Sequence, residues 1–335
     1  MYDLIIIGGG PGGVAAGVYA ARKKIKSLLI TDSFGGQSLT SADIQNWIGT
    51  KSVSGFDLGK MLEEHLRAQE DIEIIDDDLV TTVNERAAPQ GGASLSPRSA
   101  RDEAGAHDQG LERDGGLEIA TKNGKTHQTK YLLVASGSRR RKLGIPGEKE
   151  LDGKGVVYCS TCDAPLFKGK VTAVVGGGNA GLEAGVDLLP YAEKIYLLER
   201  SEAPKGDAVT LAKLTASPKF ELLTMAEPQK VLGDAFVSGL EYLDRKTNET
   251  KKLDLQGVFV EIGALPNSEF VKDKVTTDTA GDIVVDHKTQ KTSHPRIWAI
   301  GDVSDVLYKQ NNISAGDAVK AVLNIYDELN KGSGS

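Results

Sequence analysis

The sequence predicts an α/β protein built from two Rossmann-like nucleotide-binding domains. Three observations carry this expectation. A β-branched run, Tyr2-Asp3-Leu4-Ile5-Ile6-Ile7, ends in a glycine turn, Gly8 to Gly13. A later run, Val171-Thr172-Ala173-Val174-Val175, ends in the same pattern, Gly176 to Gly181. Neither the first run nor the Ser27-Leu28-Leu29-Ile30 run that follows it alternates polar with apolar residues, as expected of parallel strands covered on both faces.

Each element follows from local signals. After the first turn, small residues from Val14 to about Lys24 read as a helix, and Ser27–Ile30 as the next buried strand, completing a βαβ unit. After the second turn a helix runs to Leu189 and stops near Pro190, and Lys194–Glu199 reads as the following strand. The architecture is therefore duplicated. The stretch 84–116 holds no Ile, Val, Phe, Tyr, Trp, Met or Cys, and its leucines are Leu95 and Leu111. It cannot bury much apolar surface and reads as a flexible surface insertion, filler or a docking arm. Gly332-Ser333-Gly334-Ser335 reads as a flexible tail.

Composition narrows the classes. The 335 residues suffice for two domains with separate cores. A net charge of −7, from 40 Lys+Arg against 47 Asp+Glu, argues against general nucleic-acid or anionic-membrane binding. No apolar run reaches the roughly 18 residues that span a bilayer. The chain opens directly into a strand pattern with no basic stretch before an apolar one, so the expectation is a cytoplasmic protein. Two cysteines exclude a disulfide-stapled scaffold, and the sequence offers no metal-ligand set.

Gly8, Gly10 and Gly13 have the G-x-G-x-x-G spacing, with Pro11 between them. The first glycine permits the tight turn, the second lets a pyrophosphate approach the backbone, and the third lets helix and strand pack closely. The helix N-terminus adds free N–H groups and a positive dipole end. Asp32, near the end of the next strand, reads either as a ribose ligand or as a solvated loop carboxylate. Gly176, Gly178 and Gly181 repeat the spacing around Asn179 and Ala180, which predicts a second nucleotide. Glu199 ends the strand after it. A carboxylate there accepts hydrogen bonds from a 2′-hydroxyl and repels a 2′-phosphate, which favours NADH over NADPH. Arg200 and Lys205 lie close by and pull the other way.

Cys159-Ser160-Thr161-Cys162 contains both cysteines of the chain. The spacing allows half a zinc site, a redox disulfide or two incidental thiols. No second C-x-x-C exists to complete a zinc site, which favours the redox reading. Asp163 follows, read as a general acid/base whose pKa burial would raise, or as a helix cap or exposed carboxylate. Cys162 closely precedes Gly176, so the pair travels with the second nucleotide domain. If the first domain carries the redox cofactor, nicotinamide and disulfide must reach it in turn, and a domain rotation is expected.

With these residues in view, the chain resembles the low-molecular-weight thioredoxin reductases over nearly its whole length, the insertion excepted. Phe34-Gly35-Gly36-Gln37 is similar to the family's loop near the isoalloxazine, and Ile44-Gln45-Asn46-Trp47 to the segment whose Asn contacts the flavin. Val134-Ala135-Ser136-Gly137-Ser138 resembles the strand end that closes the flavin domain, with Ser136 where Thr is usual. Ala299-Ile300-Gly301-Asp302 resembles the late motif whose Asp binds the ribityl chain, and Lys309-Gln310-Asn311 a segment that touches the flavin ring. Asp163 to Lys170, Glu199 and Ile262 to Asn267 are similar to the flavoprotein component of alkyl hydroperoxide reductase. That component carries an extra N-terminal thioredoxin-like domain, whereas this chain begins at the first strand.

The resemblance implies three-layer β/β/α domains, the second inserted in the first. It implies an FAD domain over 1–141 and 265–331, an NAD(P)H domain over 142–264, and a two-strand hinge near Lys142–Gly147 and Gly263–Pro266. It implies FAD with NADH or NADPH, a homodimer, and a separate thioredoxin- or glutaredoxin-like protein as electron acceptor. Cys162 is then the flavin-proximal sulfur, Cys159 attacks the acceptor, and Asp163 manages protons. Other readings are a reductase for a peroxiredoxin system, an NADH oxidase, a ferredoxin-fed reductase and a non-catalytic FAD module.

Overall fold

The computed structural model describes residues 1–41, 43–86 and 115–331. Strand β1 (Tyr2–Gly9), helix α1 (Pro11–Arg22) and strand β2 (Ser27–Phe34) form the first βαβ unit. Helix α2 (Gly55–Arg67) leads to β3 (Ile72–Ile75), and then β4 (Val80–Glu85), β5 (Leu117–Thr121) and β6 (Thr126–Val134) follow. The 84–116 insertion begins later than the composition suggests. Strand β4 runs through Glu85, because Asn84 pairs with Glu118 and Glu85 with Leu117. The remainder, 87–114, and the tail 332–335 lie outside the described residues.

Strand β7 (Ser138–Arg140) is followed by β8 (Val156–Val157), the short helix α3 (Ser160–Asp163), β9 (Val171–Val175), helix α4 (Asn179–Leu188) and β10 (Lys194–Glu199). Helix α5 (Ala208–Thr215) precedes β11 (Phe220–Thr224), β12 (Ala226–Gly233), β13 (Val237–Asp244), β14 (Glu249–Asp254) and β15 (Gly257–Val260). Strands β16 (Ala264–Pro266) and β17 (Ile297–Ala299) and helix α6 (Asn311–Lys331) complete the order.

Two compact units result. Unit 1 comprises Met1–Leu39, Phe56–Ser138 and Pro266–Ser335; unit 2 comprises Thr40–Gly55 and Arg139–Leu265. Unit 2 is thus inserted in the sequence of unit 1. The segment Thr40–Gly55, closed by a bridge between Ile44 and Val53, groups with unit 2 although its sequence neighbours belong to unit 1.

Among the described residues, unit 1 contains a seven-stranded sheet in the order β3-β2-β1-β6-β5-β4, with β17 also on β6. Strand β6 pairs with β1 along one edge and divides the other between two strands: its first half pairs antiparallel with β5, and Leu132–Val134 pair parallel with β17. The absence of alternation in β1 has the expected cause. Leu4 and Ile6 face α1 and α6 in one cluster, while Ile5 and Ile7 face Val271, Ile283 and Val303 in another. All four are buried at 6% exposure or less, each contributing about 1.5–3 kcal/mol of hydrophobic stabilisation.

Unit 2 has a parallel five-stranded sheet, β11-β10-β9-β15-β8, and an antiparallel meander, β12-β13-β14. One sheet face packs Val174, Leu197 and Phe259 under α4 and α5; the other packs Ala173, Leu198 and Val258 against Val231, Val237 and Leu240 of the meander. Sheet, meander and helices form the expected β/β/α layers. Phe259 is fully buried, with its ring 4.9 Å from that of Phe167. Phe259→Ala should cost about 3–5 kcal/mol, read as a lower thermal midpoint of unfolding in calorimetry.

Candidate active site

Parallel strands end together at one edge of a sheet, and loops leaving that edge form a crevice. In unit 1 the loops leaving β1, β2, β6 and β17 carry Gly8 to Gly13, Gly36 and Gln37, Ala135 to Gly137, and Gly301 and Asp302. Gly8 sits at φ +111°, where a side chain would overlap the Ala135 carbonyl oxygen. A methyl on Gly13 would overlap the Gly8 carbonyl oxygen. At Gly10, the N-cap of α1, a methyl would meet no protein atom within 4 Å. Protein packing therefore explains the first and third glycines but not the second, whose open space suits a pyrophosphate at the α1 N-terminus, with Pro11 on its first turn.

Side chains converge on this edge. Gln37 Nε2 donates to Ser138 Oγ at 3.1 Å and Asp302 Oδ2 at 3.2 Å. Ser38 Oγ donates to Asn311 Oδ1 at 3.2 Å, and Gly36 lies against Gly10. Lys309 Nζ donates to Asp282 Oδ1 at 2.7 Å and to the Asp302 carbonyl at 2.8 Å, so it braces the Asp302 loop. Gln310 precedes Asn311 at the start of α6 and is half-buried. Asp32 is exposed on β2. Asn46 is not among the residues unit 1 gathers; it is exposed in the Thr40–Gly55 segment of unit 2. Sequence reasoning also missed a clip between two distant residues. Ser136 Oγ donates to the Asn267 carbonyl at 2.7 Å, and Asn267 Nδ2 donates back to the Ser136 carbonyl at 2.8 Å.

Unit 2 repeats the turn. Gly176 has φ +119°, Gly181 packs against the Gly176 carbonyl, and a methyl on Gly178 would meet nothing within 4 Å. Glu199 accepts from Gly177 N at 2.9 Å and Ser201 N at 2.6 Å, which holds its carboxylate beside the turn. Asn179 and Ala180 are exposed at the start of α4, where Asn179 Oδ1 accepts from Asp207 N at 2.9 Å. Lys205 N donates to the Gly177 carbonyl at 2.9 Å and its side chain is exposed. Arg200 pairs with Glu227 at 3.8 Å.

Cys159 and Cys162 are joined in a disulfide, with Cα atoms 5.4 Å apart. The bonded pair matches the redox-disulfide reading of the C-x-x-C spacing. Cys159 is the N-cap of α3 and Cys162 lies within it, and Asp163 N donates to the Cys159 carbonyl at 3.0 Å. Asp163 is not an exposed carboxylate, and its side chain makes no helix-capping hydrogen bond. It is 7% exposed, and burial alone pushes its pKa up to about 6. Just before the pair, buried Glu148 accepts from Leu143 N, Gly144 N and the Tyr158 hydroxyl at 2.8, 2.7 and 3.0 Å. This pins the residue that leads into Cys159. Burial and the Glu148 charge push the Tyr158 hydroxyl well above the ordinary phenol range, so it stays a donor.

A profile of the pyridine nucleotide-disulphide oxidoreductases matches residues 2–320. The chain belongs to this family. Family membership implies FAD and NAD(P)H as the two nucleotides. The F component of alkyl hydroperoxide reductase in Pseudomonas putida is 39% identical over 330 residues, covering 98% of this chain and 58% of that protein. A Bacillus subtilis strain 168 protein named NADH dehydrogenase is 36% identical over 328 residues, with the same coverage of 98% and 58%. The chain thus spans about three fifths of the length of these relatives. Thioredoxin reductase from Streptococcus pyogenes MGAS5005 superposes with TM-score 0.84 at 28% identity, covering 99% of each chain. Thioredoxin reductase from Giardia duodenalis gives 0.82 at 26% identity, covering 98% of each. No helix among the described residues is long and apolar enough to cross a membrane.

The glycine geometry and the buried carboxyl each have a measurable consequence. Gly10→Ala should leave the thermal midpoint nearly unchanged but lower the flavin absorbance per polypeptide, whereas Gly13→Ala should lower both. Asp163 bears on stability through pH. Its folded pKa of about 6 exceeds the ordinary 3.8, so ionising it opposes folding; the penalty is absent below about pH 4 and complete above about pH 6. Asp163→Asn removes it, so the variant should melt above the parent at pH 8, by up to about 3 kcal/mol, and with it at pH 4.

Proposed function

We propose that this protein is an FAD-dependent NAD(P)H:disulfide oxidoreductase of thioredoxin-reductase type, which passes electrons through the Cys159–Cys162 disulfide to a small thioredoxin- or glutaredoxin-like protein. One observation carries the reading: a disulfide and a buried, proton-holding carboxyl share a short helix, in the same unit as a dinucleotide turn. When bound, the nicotinamide and the flavin supply the hydride and electron chemistry.

The chain's own residues bind, orient and move protons. Gly8, Gly10 and Gly13 with the α1 N-terminus take the FAD pyrophosphate. Gly36, Gln37, Ala135, Gly137, Gly301, Asp302, Gln310 and Asn311 line the same edge for the rest of FAD; Lys309 holds Asp302 in place, and Asp32 takes a ribose hydroxyl. Asn46, which matches the family's flavin-contacting Asn, is a further candidate flavin ligand. Gly176, Gly178 and Gly181, with Asn179 and Ala180, take the second pyrophosphate. Glu199, already oriented by two backbone N–H groups, accepts from the 2′-hydroxyl of NADH and repels a 2′-phosphate. Arg200 is engaged with Glu227, which weakens it as a phosphate ligand and supports NADH, while Lys205 remains exposed at the rim.

Thiol exchange then proceeds at two sulfurs. The Cys159 thiolate attacks the acceptor's disulfide and forms a mixed disulfide, releasing one acceptor thiolate. Cys162 attacks Cys159, reforming the internal disulfide and releasing the second acceptor sulfur. Asp163 accepts a thiol proton as the thiolate forms and returns it to a departing sulfur; a carboxyl with pKa about 6 can do both near neutrality. A cytoplasmic homodimer accompanies this reading.

A second reading rests on the 39% identity to the alkyl hydroperoxide reductase component. In it the redoxin acceptor feeds a peroxiredoxin system. One experiment tests both. Anaerobic mixing with NADH or NADPH, followed by a screen of small redoxins, should show flavin bleaching with NADH about tenfold faster than with NADPH and turnover with one redoxin class. Cys159→Ser should abolish reduction of DTNB and of the redoxin. Unchanged disulfide turnover in that variant would reduce the protein to an NADH oxidase, and no bleaching by either nucleotide would favour a ferredoxin-fed enzyme.

A further inference from the structure

Both residues between the cysteines turn to one carboxylate on another helix. Ser160 Oγ donates to Asp187 Oδ2 of α4 at 2.8 Å, and Thr161 Oγ1 reaches the same oxygen at 3.4 Å. Ser160 is buried and Asp187 half-buried. Ser160 follows Cys159 and Thr161 precedes Cys162, so each residue that binds this oxygen adjoins a cysteine. The approach to the pair is held separately, since the Tyr158 hydroxyl before Cys159 donates to Glu148 at 3.0 Å. Titratable groups on the helices packed here are Asp163 of α3, Glu183 one turn earlier on α4 and Lys213 of α5; the turn over Ala164–Phe167 brings none. The strands beneath α4 present apolar Val174, Ile195 and Leu197. Glu261, which follows β15, faces Asp163, Asp187 and Arg140 of β7.

We propose that Asp187 is a positioning residue that makes the Cys159–Cys162 pair a stronger reductant: it fixes the turn between the sulfurs and keeps a negative charge beside the thiolate that reduction creates. The proposal rests on the function proposed above, in which Cys159 becomes that thiolate. Reduction breaks the S–S bond with two electrons and two protons. When Cys159 ionises, one of those protons leaves to solvent and a negative charge stays on sulfur. A couple whose reduced form is stabilised is a stronger oxidant, so whatever disfavours the thiolate makes the couple more reducing. The Asp187 carboxylate disfavours it, because like charges repel and the repulsion is screened little beside a buried residue. The hydroxyl contacts explain why the charge stays there. A carboxylate oxygen that accepts from Ser160 and is reached by Thr161 is held against the turn and does not swing into water. The reduced pair then gives up its electrons more readily to an acceptor disulfide, as a reductase requires.

The test is the thiol–disulfide equilibrium of the purified full chain with dithiothreitol, without oxygen and without nucleotide. Dithiothreitol closes to its own disulfide as the protein disulfide opens, so two electrons pass and the S–H bonds balance. Because the chain has two cysteines, the mass added by a maleimide reads the reduced fraction directly. Asp187→Asn keeps an acceptor for the Ser160 hydroxyl and removes the charge. Above the thiol pKa it should shift the equilibrium about tenfold toward the dithiol, which is about 30 mV of potential. The shift should vanish below about pH 6, where thiols stay protonated. In the reduced protein, the pH midpoint for iodoacetamide alkylation of the more reactive thiol should fall, with its thiol-to-thiolate ratio at a given pH reduced about tenfold. A purely structural tether predicts the parent curves in Asp187→Asn, or a shift of equal size at every pH, and either result overturns the proposal. If Asp187→Asn does not fold, Ser160→Ala releases the carboxylate and should move the equilibrium in the same direction with the same pH dependence; an unmoved equilibrium there overturns the proposal equally. Dithiothreitol reduces the pair without any nucleotide. A failure of nicotinamide to reduce the disulfide therefore counts against the proposed function, while an unmoved equilibrium counts against Asp187.

Discussion

Contact between a helix and the strand before it is the constraint on which both nucleotide turns depend. At Gly13 and Gly181 the first turn of the helix lies so near the carbonyl oxygen of Gly8 or Gly176 that any side chain would overlap it. That closeness brings the helix N-terminus, with its unpaired N–H groups, to the end of the parallel strand. The middle glycine then stands over open space. Two glycines answer to packing, and the third meets no protein atom. The same division occurs in both units, so both turns follow from one steric rule.

A second constraint acts at the redox helix. A carboxyl removed from water holds its proton longer, because the ionised form loses more solvation than the neutral one. Asp163 follows this rule through burial alone, and Glu261 through burial with like charges nearby. Each opposes folding when ionised, so both carboxyls carry a cost in stability above their pKa. Asp187 and Glu148 meanwhile satisfy polar groups at and before the helix start, leaving its position well determined.

Much of the fold is legible in sequence because it rests on local signals. Unalternating strands, two glycine spacings and a proline after a helix lie within short windows, and the structure realises each as a parallel strand, a turn or a helix end. The start of the insertion is not legible, because composition reports apolar content and not pairing: Asn84 and Glu85 are polar, yet they complete a ladder with Glu118 and Leu117. Lys309 illustrates a different limit. The motif that holds it resembles a flavin-contacting segment, but its ammonium is directed to Asp282 and the Asp302 carbonyl.

By itself, the sequence determined the duplicated βαβ plan, the two dinucleotide turns and the pairing of the chain's two cysteines, since each depends on residues a few positions apart. Tertiary structure alone decided which distant side chains stand beside the cysteines and how strongly water is excluded there. Asp187 reaches Ser160 from a separate element, Ser136 meets Asn267 although the inserted unit separates them in sequence, and Thr40–Gly55 groups with unit 2. Desolvation and cross-chain hydrogen bonds are properties of packing, and no spacing rule within one segment encodes them.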